Sequence, residues 1–125
     1  MIVTEQEISE LKDFIFELNS MTDSVVVVEG KRDSNALRRI GYQGEILEFH
    51  RFGGMVNFAD SVADYQRLII LFDRDRKGRT LTGRTIQLLQ RRTKVDLTFK
   101  RKLRTITKGK IMFIEQLVSY ESYLT

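Results

Sequence analysis

The chain has 125 residues, 42% of them apolar and 30% charged, a balance that suits one folded domain with a real core rather than a disordered chain. It contains no cysteine, which excludes disulfides, thiolate-held zinc or iron–sulfur sites and cysteine-nucleophile catalysis. Net charge is +4, yet residues 1–30 carry seven acids against one base while residues 74–110 carry fourteen bases against two acids. So dense a basic block is a footprint for a polyanion such as nucleic acid, the bland alternative being a solvated face. No apolar run approaches the ~18 residues of a membrane span and the N-terminus lacks a basic leader, so a cytoplasmic, membrane-free protein is expected.

In chain order, Thr4-Glu5-Gln6-Glu7 reads as a capping box opening an N-terminal helix over 4–20. Ile8, Leu11, Phe14, Ile15 and Leu18 form its apolar stripe. "VVVV" at 25–28 has no alternation, as expected of a strand covered on both faces in a parallel sheet. Asp33 is placed to cap a short helix through Ala36, Leu37 and Ile40, closed by Gly41. A strand follows at 45–49, a loop at 51–54, and a helix over 55–64 with Val56, Ala59 and Ala63 inward. "LIILF" (68–72) predicts the third strand, 81–92 a helix, and "VDLTF" (95–99) the fourth strand. A basic stretch over 100–110 then leads into a terminal helix through Ile111, Ile114, Leu117 and Val118, free to pack on the sheet or to make a homodimer contact. Alternating strands and helices with long crossovers predict an α/β three-layer sandwich on a mainly parallel, four-stranded, Rossmann-like sheet. Functional groups then belong at the carboxyl ends of the strands.

Two of those ends carry acids. The first strand runs into Glu29-Gly30-Lys31 and the third into Asp73-Arg74-Asp75. If the two strands are neighbours, Glu29 and Asp73 emerge side by side, and Asp75, two residues on, faces the same way while Arg74 turns aside. Three converging carboxylates repel one another unless a cation is present, and Mg2+ takes such hard oxygen ligands, with Mn2+ an alternative. Gly30 and Gly78 allow a sharp backbone turn or a close approach. An isolated D-x-D is a weak signal, equally compatible with acids paired to nearby arginines; Glu29 at the matched position shifts the balance. Receiver domains and haloacid-dehalogenase-like phosphatases need aspartates where the first strand here offers a single Glu.

"VVVVEGKRDSNALRRIG" and "LIILFDRDRKG" together resemble the paired signatures of the Toprim (topoisomerase–primase) domain. That family has a glutamate after its first strand and D-x-D-x-x-G after a later one. Glu29 matches the former, and Asp73, Asp75 and Gly78 the latter, with Gly30, Lys31 and Asp33 similar to a frequent "EGKxD" form. The likeness covers roughly residues 25–99, and the short chain with its ending "IMFIEQLVSYESYL" resembles the small stand-alone archaeal Toprim proteins. The resemblance implies divalent-metal phosphodiester chemistry, with Asp73 and Asp75 as Mg2+ ligands and Glu29 as a further ligand or acid–base group. Lys31, Arg74, Arg76, Lys77 and Arg79 are then candidates to hold phosphate, although each taken singly reads as a solvated base.

The reaction is narrowed by what the chain lacks. Tyr42, Tyr65, Tyr120 and Tyr123 read as packing residues rather than a topoisomerase nucleophile, and no cysteine supports a primase zinc module. A nuclease needs least, and in that sense the chain resembles the bacterial Toprim ribonuclease that matures small ribosomal RNA. The expectation is Mg2+-dependent hydrolysis of RNA or DNA; a binding-only accessory protein and a primase-like nucleotidyltransferase are the alternatives. His50 reads as a surface or packing residue whose loop borders the site, and Phe99 as either a stacking platform or core.

Overall fold

The computed structural model describes residues 2–124. Helix α1 spans Glu5–Ser20, and the Thr4 hydroxyl accepts the Glu7 N–H at 3.1 Å. The reciprocal half of the expected capping box is absent. The Glu7 carboxylate, 2% exposed, instead accepts Lys110 Nζ at 2.8 and 2.9 Å and the Tyr120 hydroxyl at 3.1 Å. A buried carboxylate is costly unless paired. The Lys110 hydrogen bond, ahead of opposing burial, holds Glu7 below the usual carboxylate range and ties the first helix to the tail.

The remaining elements are β1 (Ser24–Val28), α2 (Lys31–Arg39), β2 (Ile46–Glu48), a 3-10 turn (Phe49–Phe52), α3 (Met55–Val62), β3 (Arg67–Ile70), α4 (Arg76–Leu89), β4 (Lys94–Asp96), α5 (Thr98–Ile106), a 3-10 stretch (Ile114–Tyr120) and α6 (Glu121–Leu124). The sheet order is β2-β1-β3-β4 and every pairing is parallel. The expected α/β fold with a four-stranded parallel sheet is therefore the one observed, and β1 and β3 are neighbours.

Side chains alternate across a strand. Val25, Val27, Leu68 and Ile70 pack with Phe58, Val62 and Leu89 from α3 and α4. Val26, Val28, Ile69 and Leu71 pack with Leu11, Phe14, Leu37, Phe99 and Leu103 from α1, α2 and α5. Both faces are apolar, which is why "VVVV" shows no polar alternation. The first crossover helix, α2, lies on one face and the next two, α3 and α4, on the other. That reversal opens a crevice above the carboxyl ends of β1 and β3.

Several boundaries differ from the sequence expectation for local reasons. Helix α4 starts at Arg76 rather than residue 81, because the Asp75 carboxylate accepts the Gly78 N–H at 2.8 Å and caps it. Strand β4 stops at Asp96, whose carboxylate caps the next helix through the Thr98 N–H at 2.7 Å. The basic stretch is thereby wound into α5, with Phe99 and Leu103 inward and Phe99 edge-on to Phe14 at 5.8 Å. Gly30, not Asp33, is the N-cap of α2; Asp33 sits three residues in and accepts the Gly30 N–H at 3.2 Å. In α3 the inward set is Met55, Phe58, Ala59 and Val62, while Val56 is 63% exposed. The terminal helix is largely a 3-10 stretch packed on α2, its start capped by Gln116, which accepts the Met112 and Phe113 N–H groups.

Candidate metal centre

Register fixes the geometry. Val27 pairs with Ile70, so continuing that register sets Glu29 beside Phe72, one residue short of Asp73. The Asp73 N–H donates to Glu29 Oε2 at 2.8 Å, the Ile114 N–H donates to Asp73 Oδ1 at 2.7 Å, and Asp75 holds the Gly78 N–H. Each of the three carboxylates is thus clamped by one backbone N–H, and its second oxygen has no backbone or cationic donor among the described residues. One carboxylate oxygen from each of Glu29, Asp73 and Asp75 lies within 4.8 Å of the others, and all three residues are half-buried. The sequence-derived trio comes together.

Crowding shows in proton affinity. Burial, reinforced by Glu29 and Asp75 and opposed by the Ile114 N–H, pushes Asp73 up to about 6. Asp33, absent from the trio expected from sequence, is also pushed up to about 6, by burial first and then by the charge of Asp73, with the Gly30 N–H opposing. Close enough to feel the charge of Asp73, it is a fourth acid by the trio, and it anchors the start of α2. Its signal in the sequence is its spacing from Glu29, which a helix cap explains equally well.

Comparison with known proteins places the chain among relatives. No family model matches it. It is 36% identical over 121 residues to a UPF0292 protein of Thermococcus sibiricus, covering 96% of this chain and 87% of that one. A UPF0292 protein of Archaeoglobus fulgidus is 34% identical over 116 residues, covering 92% and 86%. The chain belongs to the UPF0292 family. A solved structure of a protein from Aquifex aeolicus is similar in fold, with a TM-score of 0.69 and 26% identity over 85% of this chain and 96% of that one.

In this UPF0292 chain the donor set suits a hard divalent cation. Only carboxylate oxygens converge, with no sulfur or imidazole, and backbone clamps fix one edge of each carboxylate while leaving the other available. A divalent cation held there would offset the repulsion that adds to burial in raising Asp73.

The candidate phosphate ligands divide into two groups. Lys31 opens α2, and Arg76, Lys77 and Arg79 crowd the first turn of α4, all exposed. Bases in a first helical turn oppose the helix dipole at a cost of tenths of a kcal/mol each, a local conflict of the kind found at functional sites. Arg74 differs: its guanidinium donates to the Ile111 carbonyl at 2.9 Å and the Gly109 carbonyl at 3.3 Å, so it braces the tail as expected of a side chain turned from the acids.

Of the two glycines, Gly30 lies in the bend between β1 and α2, whereas Gly78 is not at a turn. Gly30 is extended, and an added Cβ would meet only His50 Nδ1 at 3.8 Å. Gly78 is helical, and a Cβ there would lie 1.9 Å from the Asp73 carbonyl oxygen, so the close approach is of α4 to the backbone of Asp73. His50 does border the site, its N–H donating to the Glu29 carbonyl at 3.1 Å. Among the tyrosines, Tyr42 and Tyr120 are buried, while Tyr65 donates to Glu45 at 2.8 Å and Tyr123 is exposed. Among the described residues, no helix is long and apolar enough to cross a membrane.

Proposed function

We propose that the protein is a Toprim-type, Mg2+-dependent nuclease acting on RNA or DNA. The observation that carries this reading is the convergence of Glu29, Asp73 and Asp75 within 4.8 Å at the crevice between β1 and β3. Asp73 and Asp75 would hold the ion, with Glu29 as a further ligand or proton acceptor beside it. When bound, Mg2+ supplies Lewis-acid stabilisation of charge on a phosphodiester. Glu29 is oriented for its part by the Asp73 N–H, which holds Oε2 at 2.8 Å. Lys31, Arg76, Lys77 and Arg79 ring that crevice from the starts of α2 and α4, where they attract phosphate without reading bases.

The test is an incubation with structured RNAs and single- and double-stranded DNAs, with and without Mg2+ or Mn2+. Metal-dependent cleavage that Glu29→Gln and Asp73→Asn abolish while binding persists is the expected result. Salt-sensitive binding indifferent to metal and to both substitutions refutes the nuclease reading in favour of an accessory protein. Nucleotide incorporation on a single-stranded template indicates a primase-like enzyme instead.

A further inference from the structure

Beside the carboxylates, between α4 and α5, lies a half-enclosed cavity of 290 Å³ lined by Arg74, Arg79, Lys100, Arg101 and Arg104, with Thr82 and Leu97 in its wall. Outside it, eight bases meet acids, among them Arg67 with Asp96 at 2.7 Å, Lys102 with Glu17 at 2.6 Å and Arg39 with Glu121 at 3.0 Å, and the eight that form no ion pair among the described residues all stand exposed to solvent. Only in this cavity do unpaired bases converge on one volume. Arg79, Arg101 and Arg104 form no ion pair among the described residues. Arg74 spends its donors on two carbonyls, and Lys100 Nζ finds only the Thr82 hydroxyl at 3.2 Å. Five cations around so small a volume repel one another, most strongly where solvent is thin.

Lys100 is the connecting residue. Its ammonium is half-buried, and burial, with Arg74 and Arg79 adding, lowers its proton affinity, while Glu29 and Asp73 pull it back. The same side chain therefore feels both the carboxylates and the cation cluster.

We propose that this cavity is a second phosphate site, holding a phosphate of the nucleic-acid strand distinct from the one presented to Glu29, Asp73 and Asp75. The inference rests on the nucleic-acid part of the function proposed above and not on cleavage. A phosphate dianion or diester supplies the missing counter-charge, guanidinium forks match its oxygens, and Leu97 offers an apolar wall to the attached sugar. Two sources share this chemistry: an internal diester of a strand and a terminal 5′-phosphate.

The test measures anisotropy of labelled single-stranded oligonucleotides, 5′-hydroxyl and 5′-phosphate, in EDTA across a salt series. Proteins compared are wild type, Arg101→Gln/Arg104→Gln, Lys100→Met, and Arg91→Gln as a control, Arg91 being exposed just beyond the far end of α4. The α5 double variant is expected to weaken binding about tenfold and to flatten the salt slope by about 0.7 for each phosphate no longer neutralised, with Arg91→Gln unchanged. Inorganic phosphate is expected to shift the amide resonances of Thr82, Leu97 and Lys100 in wild type and not in the double variant. Loss of a wild-type preference for the 5′-phosphate strand assigns a terminal phosphate; equal loss on both strands assigns an internal one. Double-variant binding equal to Arg91→Gln, or displacement of the strand by polyglutamate as effective as by phosphate polymer, overturns the proposal. Because metal is absent, failure here is separate from failure of the nuclease reading, which the Glu29→Gln cleavage assay decides.

Discussion

Replacing Gly78 with alanine probes how tightly the candidate metal centre depends on helix packing. A glycine inside a helix normally gains about 1 kcal/mol on becoming alanine. At position 78, however, the new Cβ would stand 1.9 Å from the Asp73 carbonyl oxygen, against a practical minimum of 3.0 Å, so α4 or Asp73 must retreat by about 1 Å. Overpacking of that order costs about 1–3 kcal/mol, and the 2.8 Å bond from the Asp73 N–H to Glu29 stretches with it, at about 1 kcal/mol more. Gly83 on the same helix has nothing within 4 Å of an added Cβ and serves as the matched control. The two variants should therefore differ by about 2–4 kcal/mol, or roughly 10 °C in melting temperature for a domain of this size. Gly83→Ala should melt above wild type and Gly78→Ala below it. Calorimetric titration should show Mg2+ binding weakened about tenfold in Gly78→Ala alone, since the ion tolerates little distortion of its shell. Equal melting temperatures and equal Mg2+ affinities in the two variants would refute the packing argument.

If the three carboxylates hold Mg2+ as proposed, the raised proton affinity of Asp73 should make that binding pH-sensitive: with a value of about 6, apparent affinity should fall about tenfold per pH unit below that point and level off above it, as titration calorimetry between pH 5 and 8 would record. In metal-free protein the sign for stability is opposite. The folded values of Asp33 and Asp73, about 6, lie above the ordinary 3.8, so their protonated forms stabilise the fold at low pH and this is lost as pH rises through 6. Melting temperature should accordingly rise from pH 7.5 to pH 5, less so in Asp73→Asn, and saturating Mg2+ should reduce the rise to the part due to Asp33. Arg67→Ala leaves Asp96, whose side chain is 3% exposed, without its 2.7 Å partner, and chemical denaturation should show a loss of about 3 kcal/mol. Glu7→Ala should cost a similar amount by stranding Lys110 and the Tyr120 hydroxyl, while Glu10→Ala, half-buried one turn on, whose side chain among the described residues bonds only to Gln6, should change stability by less than about 0.5 kcal/mol.

Much of the fold was legible because its signals are local. Four β-branched residues in a row mark a doubly covered strand, and acids at the ends of two such strands need only their adjacency to become a site. Where sequence reading failed, a side chain had chosen a partner that spacing alone does not reveal. Asp75 and Asp96 each cap the following helix, which moved the start of α4 forward and cut β4 short. Glu7 left its capping box for Lys110, 103 positions away. Lys100 looked like one base among many in a charged run; its place beside Glu29 and Asp73 follows from the face of α5 that Phe99 and Leu103 bury, and that helix was not expected.

The clamp on Asp73 comes from Ile114, 41 residues further along the chain, and Arg74 is braced by carbonyls at 109 and 111. During synthesis, then, the sheet and both acidic strand ends are complete well before the backbone group that fixes Asp73 has left the ribosome. Until that segment arrives, a nascent chain carries the acids and not their alignment. The donor that orients Asp73 at the candidate metal site is thus among the last groups synthesised, and a chain ending before residue 114 would lose it together with the buried Ile114, Leu117 and Tyr120 that cover α2.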